Sequence, residues 1–347
     1  EETANEEVIA QEIVKQSMME NDNMLLEPQP VQVEENIAQA EENIKIVIGG
    51  DVLLDSYVGQ LIDSHGNDII WGDAISVLDS ADISVVNLEN PLSNRGVAEK
   101  DKQFIFRGKP EYVMALKSAG IDAVTLANNH ILDYGEAALF DTMQILNDAG
   151  ILYAGAGENV ASASAPVYIN KGTINVSLVS SSHVIPFVHW TAGENKPGVA
   201  SAYDPSRVIS EVKTASEKAD VVVAYLHWGE EQKTHPVEYQ KNIARMLIDA
   251  GADLVVGSHP HVVQGLEFYK GKLIAYSLGN FVFTNSFRDT MLLSVKFSKN
   301  EMLEAEIVPC VIKSSKTMLV NNDEEKQSFF KKLNAISFGC FIDNYGR

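Results

Sequence analysis

Asp253-Leu-Val-Val-Gly-Ser-His-Pro-His261 (DLVVGSHPH) reads as a short buried strand that runs out into two histidines. Leu254-Val255-Val256 is a continuous apolar run with no polar alternation, as a strand covered on both faces requires. The chain holds only eight histidines in 347 residues, and two of them stand here one residue apart. The same plan occurs upstream in Ser118-Ala-Gly-Ile-Asp-Ala-Val-Thr-Leu-Ala-Asn-Asn-His130. In both stretches a helix ends on Ala-Gly, an Asp opens a strand, and polar residues crowd the strand's exit. Strands alternating with helices indicate an α/β fold. Polar clusters at the carboxyl ends of such strands are where open α/β sheets hold their ligands.

Working outward, IKIVIGG (44–50), ISVVNLE (83–89), INVSLVSSSH (174–183), DVVVAYLHWG (220–229) and LIAYSLGNF (273–281) are further Val/Ile/Leu runs of strand length. Helical spacing covers 110–118, 135–148, 205–217 and 237–249, and Gly120, Gly150 and Gly251 follow such stretches where a left-handed cap favours glycine. The tail differs: 291–297 and 302–308 read as a β-hairpin and 323–337 as a closing helix. The sheets are therefore expected to be mixed. A single catalytic domain over 44–340 is expected, with the hairpin and helix of 291–340 packed onto it.

The formal charge of −21 excludes a nucleic-acid partner, since binding phosphate backbones needs a basic surface, and its field repels a polyanionic substrate unless that charge is offset. Residues 1–43 hold twelve Asp or Glu against the single Lys15, so about half of the excess sits in one segment. With few aromatics and no sustained periodic face, 1–43 reads as an acidic flexible leader or tether. A chain that opens on Glu1 is expected to follow a removed signal or anchor, or to have been trimmed. No run of about 18 apolar residues crosses a membrane. Cys310 and Cys340, the two cysteines, either pair or are separate buried thiols; neither has zinc-site spacing.

Five strand exits carry the chemistry: Asp51, Glu89, Asn128-Asn129-His130, His227, and His259 with His261. Singly, each has an ordinary explanation, as a structural histidine or an N-capping aspartate. Together, carboxylates, imidazoles and an amide oxygen are the donor mix of a divalent metal centre. Without a metal, His130, His259 and His261 beside Asp51 or Glu89 form a general acid–base cluster. His130, Asp51 and His261 are the catalytic candidates. Lys102 and Arg107, flanking QFIF (103–106), are the candidates for facing an anionic substrate, with Asn128, Ser277 and Asn280 as hydrogen-bonding groups. Asp133 and Glu230 are expected to orient neighbouring imidazoles, as carboxylates behind metal ligands do. Trp228 serves equally as packing or as a pocket wall.

The set GGD (49–51), NLE (87–89), LANNHILDYG (126–135), HWGEE (227–231), GSHPHVVQGLE (257–267) and YSLGNFVF (276–283) resembles the CapA family of capsule and poly-γ-glutamate biosynthesis proteins. That family is similar to calcineurin-like metallophosphoesterases, and the resemblance implies their sandwich of two mixed sheets flanked by helices. Carried over by position, it assigns one metal to Glu89, Asn129, His227 and His259, and the other to Asp51, Glu89 and His261. The phosphoesterase D-x-H falls on Asp51-Val52-Leu53, so the second position lacks a ligand, and one ion is expected rather than two. Zinc, manganese and iron are not distinguished.

The implied function is enzymatic action on, or binding of, an acidic polyamide such as poly-γ-glutamate or its precursor. The alternatives are hydrolysis of a phosphate ester, and a non-catalytic subunit of a polymer synthase or export complex with membrane partners. The implied location is the extracellular face of the cell membrane, reached through a missing N-terminal segment.

Overall fold

Alternation in the first strand sets the layering of the molecule. In β1 (Ile44–Val52), Ile44, Ile46 and Ile48 enter one core and Val47 and Val52 another, so the strand is buried on both faces. The computed structural model describes residues 43–284, 288–299 and 301–347; the expected acidic leader lies, apart from Asn43, outside the described residues.

β2 (Ile83–Leu88), β3 (Ala123–Thr125) and β4 (Leu152–Ala154) continue a parallel array begun by β1. A short ribbon strand, β5 (Ala156–Gly157), precedes β6 (Val167–Lys171) and β7 (Ile174–Ser182) of a second sheet, and pairs with β8 (Gly198–Val199). The second sheet adds β9 (Val221–His227), β10 (Leu254–Ser258), β11 (Leu266–Tyr269) and β12 (Lys272–Ala275). The chain then returns to the first sheet as β13 (Asn280–Val282), β14 (Arg288–Phe297), β15 (Met302–Lys313) and β16 (Lys316–Leu319).

The first sheet runs β16-β15-β14-β1-β2-β3-β4, with β13 added against the end of β1; the second runs β11-β12-β10-β9-β7-β6. Both are mixed. β14 to β16 form an antiparallel meander beside the parallel strands, and β11 and β6 are antiparallel edges of the second sheet.

The facing surfaces share one core, in which Ile46, Ile48 and Val85 meet Val176, Val223 and Val256. On the far side of the first sheet, α1 (Ser56–His65) and α2 (Gly135–Ala149) bury Val58, Leu61, Leu139 and Met143 against Val47, Val86 and Val124. On the far side of the second, α3 (Ser206–Ser216) and α4 (Glu238–Asp249) bury Val212, Ile243 and Leu247 against Val222 and Val255. The result is the expected sandwich of two mixed sheets between helices. The three glycines expected to end helices, Gly120, Gly150 and Gly251, all have positive φ. The closing helix, α5 (Asp323–Ala335), inserts Phe329, Phe330 and Leu333 into the core between the sheets.

One strand differs from its sequence reading. LIAYSLGNF is not continuous: β12 ends at Ala275 in the second sheet, and β13 begins at Asn280 in the first. Ser277 makes the break, its Oγ donating to the Val262 carbonyl at 2.8 Å and accepting from Gly279 N at 3.2 Å, and Gly279 takes φ +75°. This crossing brings the chain against β1, where Asp51 N donates to the Gly279 carbonyl at 3.1 Å. A Cβ on Gly50 would lie 1.9 Å from that same carbonyl oxygen, which is why a glycine is needed there.

Gly50→Ala therefore forces β1 and the crossing segment apart. A cost of about 3 kcal/mol is expected, the upper range for an overpacked core site, read as a lowered urea midpoint. An unchanged midpoint would contradict this close approach.

Candidate functional site

The parallel strands of both sheets point their carboxyl ends at one edge, and register fixes what meets there. Pairing of β1 with β2 sets Asp51 beside Asn87, and pairing of β9 with β10 sets His227 beside Ser258. Glu89 follows β2 directly, and the loop after β3 supplies Asn128, Asn129 and His130. His259 and His261 leave β10 with φ of +96° and +60°. Such angles are rare for residues with a side chain and cluster at functional sites.

Asp51 and Glu89 are both fully buried. The Asn87 amide bridges them, donating to Asp51 Oδ1 at 2.8 Å and to Glu89 Oε2 at 2.5 Å. Its own oxygen accepts from Thr125 Oγ1 and Asn128 Nδ2, each at 3.1 Å. Across the seam, His227 Nε2 lies 2.9 Å from Asn129 Oδ1 and 3.8 Å from Glu89 Oε1. His227 Nδ1 is 3.0 Å from Ser258 Oγ and 3.9 Å from Asp51 Oδ1. The His259 backbone N–H donates to Asp51 Oδ2 at 3.1 Å. The His261 ring is held by Asn280 Oδ1 at 2.7 Å and approaches Asp51 Oδ2 at 3.9 Å.

The electrostatics follow from burial. Loss of water raises the pKa of Asp51, and it raises that of Glu89 well above the usual carboxylate range, with the Asp51 charge adding to the effect. Burial first, then neighbouring imidazoles, drives His227 far down and His259 to about 3. Both rings are thus neutral at pH 7, the state in which imidazole ligates metals. Of the buried side-chain atoms without a hydrogen-bond partner among the described residues, two belong to this cluster: Glu89 Oε1 and His259 Nδ1. Leaving a buried polar atom unpaired costs about 1–3 kcal/mol. A divalent cation at Glu89 Oε1 answers the charge of the carboxylate pair, and a buried neutral imidazole nitrogen without a partner is a metal donor, so the residues here fit metal binding. The ligand atoms gather as two groups, each within 4.8 Å: Asp51, Glu89 and His227, and separately Glu231, His259 and His261. This division differs from the family-based one, which put His259 with Glu89 and His227. Leu53 is fully buried, its N–H bonded to the Val282 carbonyl, and supplies no ligand.

The residues expected to contact substrate also have partners within the protein. Lys102, half-buried, pairs through Nζ with Asp133 Oδ1 at 2.5 Å, lies 2.7 Å from His130 Nδ1 and donates to the Asn129 carbonyl at 2.5 Å. Arg107 sets its guanidinium 4.0 Å over the Tyr134 ring and donates to the Arg95 carbonyl. Asn128 is fully buried and shapes the loop, its Oδ1 accepting from the His130 and Ile131 N–H groups. Ser277 builds the sheet crossing, and Asn280 orients His261. Asp133 does orient an imidazole, with Oδ2 2.7 Å from His130 Nδ1. Glu230 is exposed, and the ring nitrogens of His227 turn instead to Ser258 and Asn129. Trp228 is packing, fully buried with Nε1 donating to the Tyr276 carbonyl at 2.9 Å. The cysteines are unpaired; Cys310 lies in the outer core of the first sheet, its thiol pushed up to about 12 by burial, while Cys340 packs at the core between the sheets.

Sequence reasoning missed Asn87 and Arg288, and it named Glu231 only together with Glu230, as a support for His227 or a solvated loop pair. Asn87 was legible as the one amide in the apolar run ISVVNL, on the same strand face as Glu89 by the two-residue period.

Cation and proton compete for these carboxylates, so binding releases protons. Glu89 has a native pKa above its ordinary 4.5, so the metal-free native state holds a proton that the unfolded chain gives up. Its stabilising contribution is present at low pH and lost as pH rises through the native value. The Tm rise given by saturating Mn2+ should accordingly be smaller at pH 5 than at pH 8. A pH-independent rise would contradict this.

A family model described as bacterial capsule synthesis protein PGA_cap matches residues 45–285. The chain is 32% identical over 288 residues to the PGA biosynthesis protein CapA of Bacillus subtilis (strain 168), covering 80% of this chain and 74% of that protein. It is 31% identical over 315 residues to the capsule biosynthesis protein CapA of Bacillus anthracis, covering 88% and 75%. Among solved structures, a phosphatase from Mycoplasma pneumoniae matches 78% of this chain and 94% of its own with a TM-score of 0.51 at 13% identity. The NAD nucleotidase of Haemophilus influenzae matches 88% of this chain and 57% of its own, with a TM-score of 0.50 at 13% identity. At such identities the likeness shows the fold alone, and it is the phosphoesterase-type sandwich expected. The family match and the two Bacillus relatives go further: the chain belongs to the PGA_cap family of bacterial capsule synthesis proteins.

Proposed function

We propose that this protein acts on poly-γ-glutamate, or a closely related acidic polyamide, during capsule biosynthesis, at the centre formed by Asp51, Glu89, Asn129, His227, His259 and His261. The observation that carries the reading is the orphaned pair, Glu89 Oε1 and His259 Nδ1, in a buried carboxylate–imidazole cluster. The names of the Bacillus relatives, capsule and PGA biosynthesis proteins, support the choice of polymer. One divalent ion at Asp51, Glu89 and His227 is the core of the proposal.

A cation bound there would supply Lewis acidity at an amide carbonyl and offset the polymer's carboxylates, easing the repulsion from a chain of net charge −21. The protein's own groups do the rest. Asn87 locks both carboxylates in place. Asp133 and Lys102 engage His130 through Nδ1, so proton exchange with substrate falls to Nε2. The Phe106 ring, 4.7 Å from the His130 ring, covers one side of the imidazole. Capsule polymer lies outside the cell, so the extracellular face of the membrane, beside synthase subunits, is the proposed location, reached through an N-terminal tether. Among the described residues, no helix is long and apolar enough to cross a membrane.

The test incubates Mn2+-loaded protein with poly-γ-glutamate and follows chain length by size-exclusion chromatography and light scattering, with free amine ends counted in parallel. The expected result is a change in chain length that His130→Ala slows by about 10²–10⁴-fold, the usual worth of a general acid or base, and that Glu89→Gln abolishes. Brisk hydrolysis of p-nitrophenyl phosphate with the polymer left intact would replace this reading with a phosphoesterase. Saturable polymer binding without turnover, lost in Glu89→Gln, would replace it with a non-catalytic subunit.

A further inference from the structure

We propose that Glu231 is a metal ligand, completing with His259 and His261 a second cation position at the mouth of the buried cluster. The proposal rests on the metal reading given above and adds a residue and a site to it. One Glu231 carboxylate oxygen and one ring nitrogen from each histidine lie within 4.8 Å of one another, a group separate from Asp51, Glu89 and His227. An exposed glutamate near histidines is common in proteins, so proximity alone decides nothing. Two further observations do.

The first is that the His259 ring is uncommitted: its Nδ1 is buried without a hydrogen-bond partner, on a residue only 4% exposed. The second is that the loop carrying Glu231 is clamped to the histidine loop. Gln232 N donates to the Pro260 carbonyl at 2.8 Å, between the two histidines. Arg288 Nη1 then ties the loops again, donating to Gln232 Oε1 at 2.7 Å and to the His261 carbonyl at 3.2 Å. Gly229, two residues before Glu231, permits the contact, since a Cβ there would stand 3.0 Å from Pro260 Cγ and its φ is +96°. The Glu231 carboxylate, meanwhile, makes no hydrogen bond or ion pair among the described residues. Backbone is thus fixed and side chain left uncommitted, which is how a loop presents a ligand.

The chemistry is suitable. Two imidazoles and one carboxylate are a three-ligand set that holds zinc with an open position. HWGEE and GSHPH thereby become two halves of one device.

Zinc alone is the probe, with stoichiometry measured by equilibrium dialysis and elemental analysis and affinity by calorimetry. Wild-type protein should bind two equivalents. Glu231→Gln should keep one, with the other weakened by about 100-fold or more, since losing even the groups behind a ligand costs 10–100-fold. Glu230→Gln should keep both, and all three proteins should melt at the same temperature without metal, because both glutamates are exposed. If Glu231→Gln binds two equivalents with wild-type affinity, the ligand role is wrong while the metal reading stands. Should wild-type protein bind no zinc at all, both fail together.

Discussion

Asp51 and Glu89 are two carboxylates buried side by side, joined by one asparagine amide. Water would separate and solvate them; here burial raises both pKa values, and the charge of one raises the other further. Such a pair persists only with a proton or a cation between its members. The surrounding structure can be understood as what holds the pair in place. Register between β1 and β2 fixes the distance, Asn87 bridges the oxygens, and Thr125 and Asn128 orient Asn87 in turn.

The site belongs to neither sheet alone. Asn129 comes from the first sheet and His227 from the second, 2.9 Å apart. The Tyr225 hydroxyl reaches across the core to the Gly49 carbonyl at 2.9 Å, two residues from Asp51. The chain itself crosses the seam between Tyr276 and Gly279, and Asn280 arrives at His261 by that route. Geometry at the centre therefore depends on how tightly the two sheets pack, and Gly50 marks where that packing leaves no room for a Cβ.

Much of this was legible in the chain. Short apolar runs ending in polar residues placed the strands and the edge where their exits converge, and five such exits do converge. What was not legible has one cause: sequence shows which groups are polar but not which partner each one has. Lys102 and Asp133 are 31 positions apart, and only the fold shows that the lysine is consumed by an ion pair. Nothing in the sequence shows that Ser277 Oγ bonds the Val262 carbonyl at the sheet crossing or that Asn280 Oδ1 meets His261. Glu230 and Glu231 are alike in sequence, and only the fold brings a Glu231 oxygen within 4.8 Å of ring nitrogens of His259 and His261. Leu53 was the clearest signal, because leucine cannot ligate in any geometry.

The claim on which the account stands is that the buried carboxylate–imidazole cluster is a cation site and not a structural network. Anomalous diffraction at the manganese edge, from crystals of the manganese-loaded protein, tests it most directly. The account predicts a peak bonded to Glu89 Oε1 among Asp51, Glu89 and His227. Loaded crystals with no peak there, and with Glu89 Oε1 still lacking any partner, would contradict it.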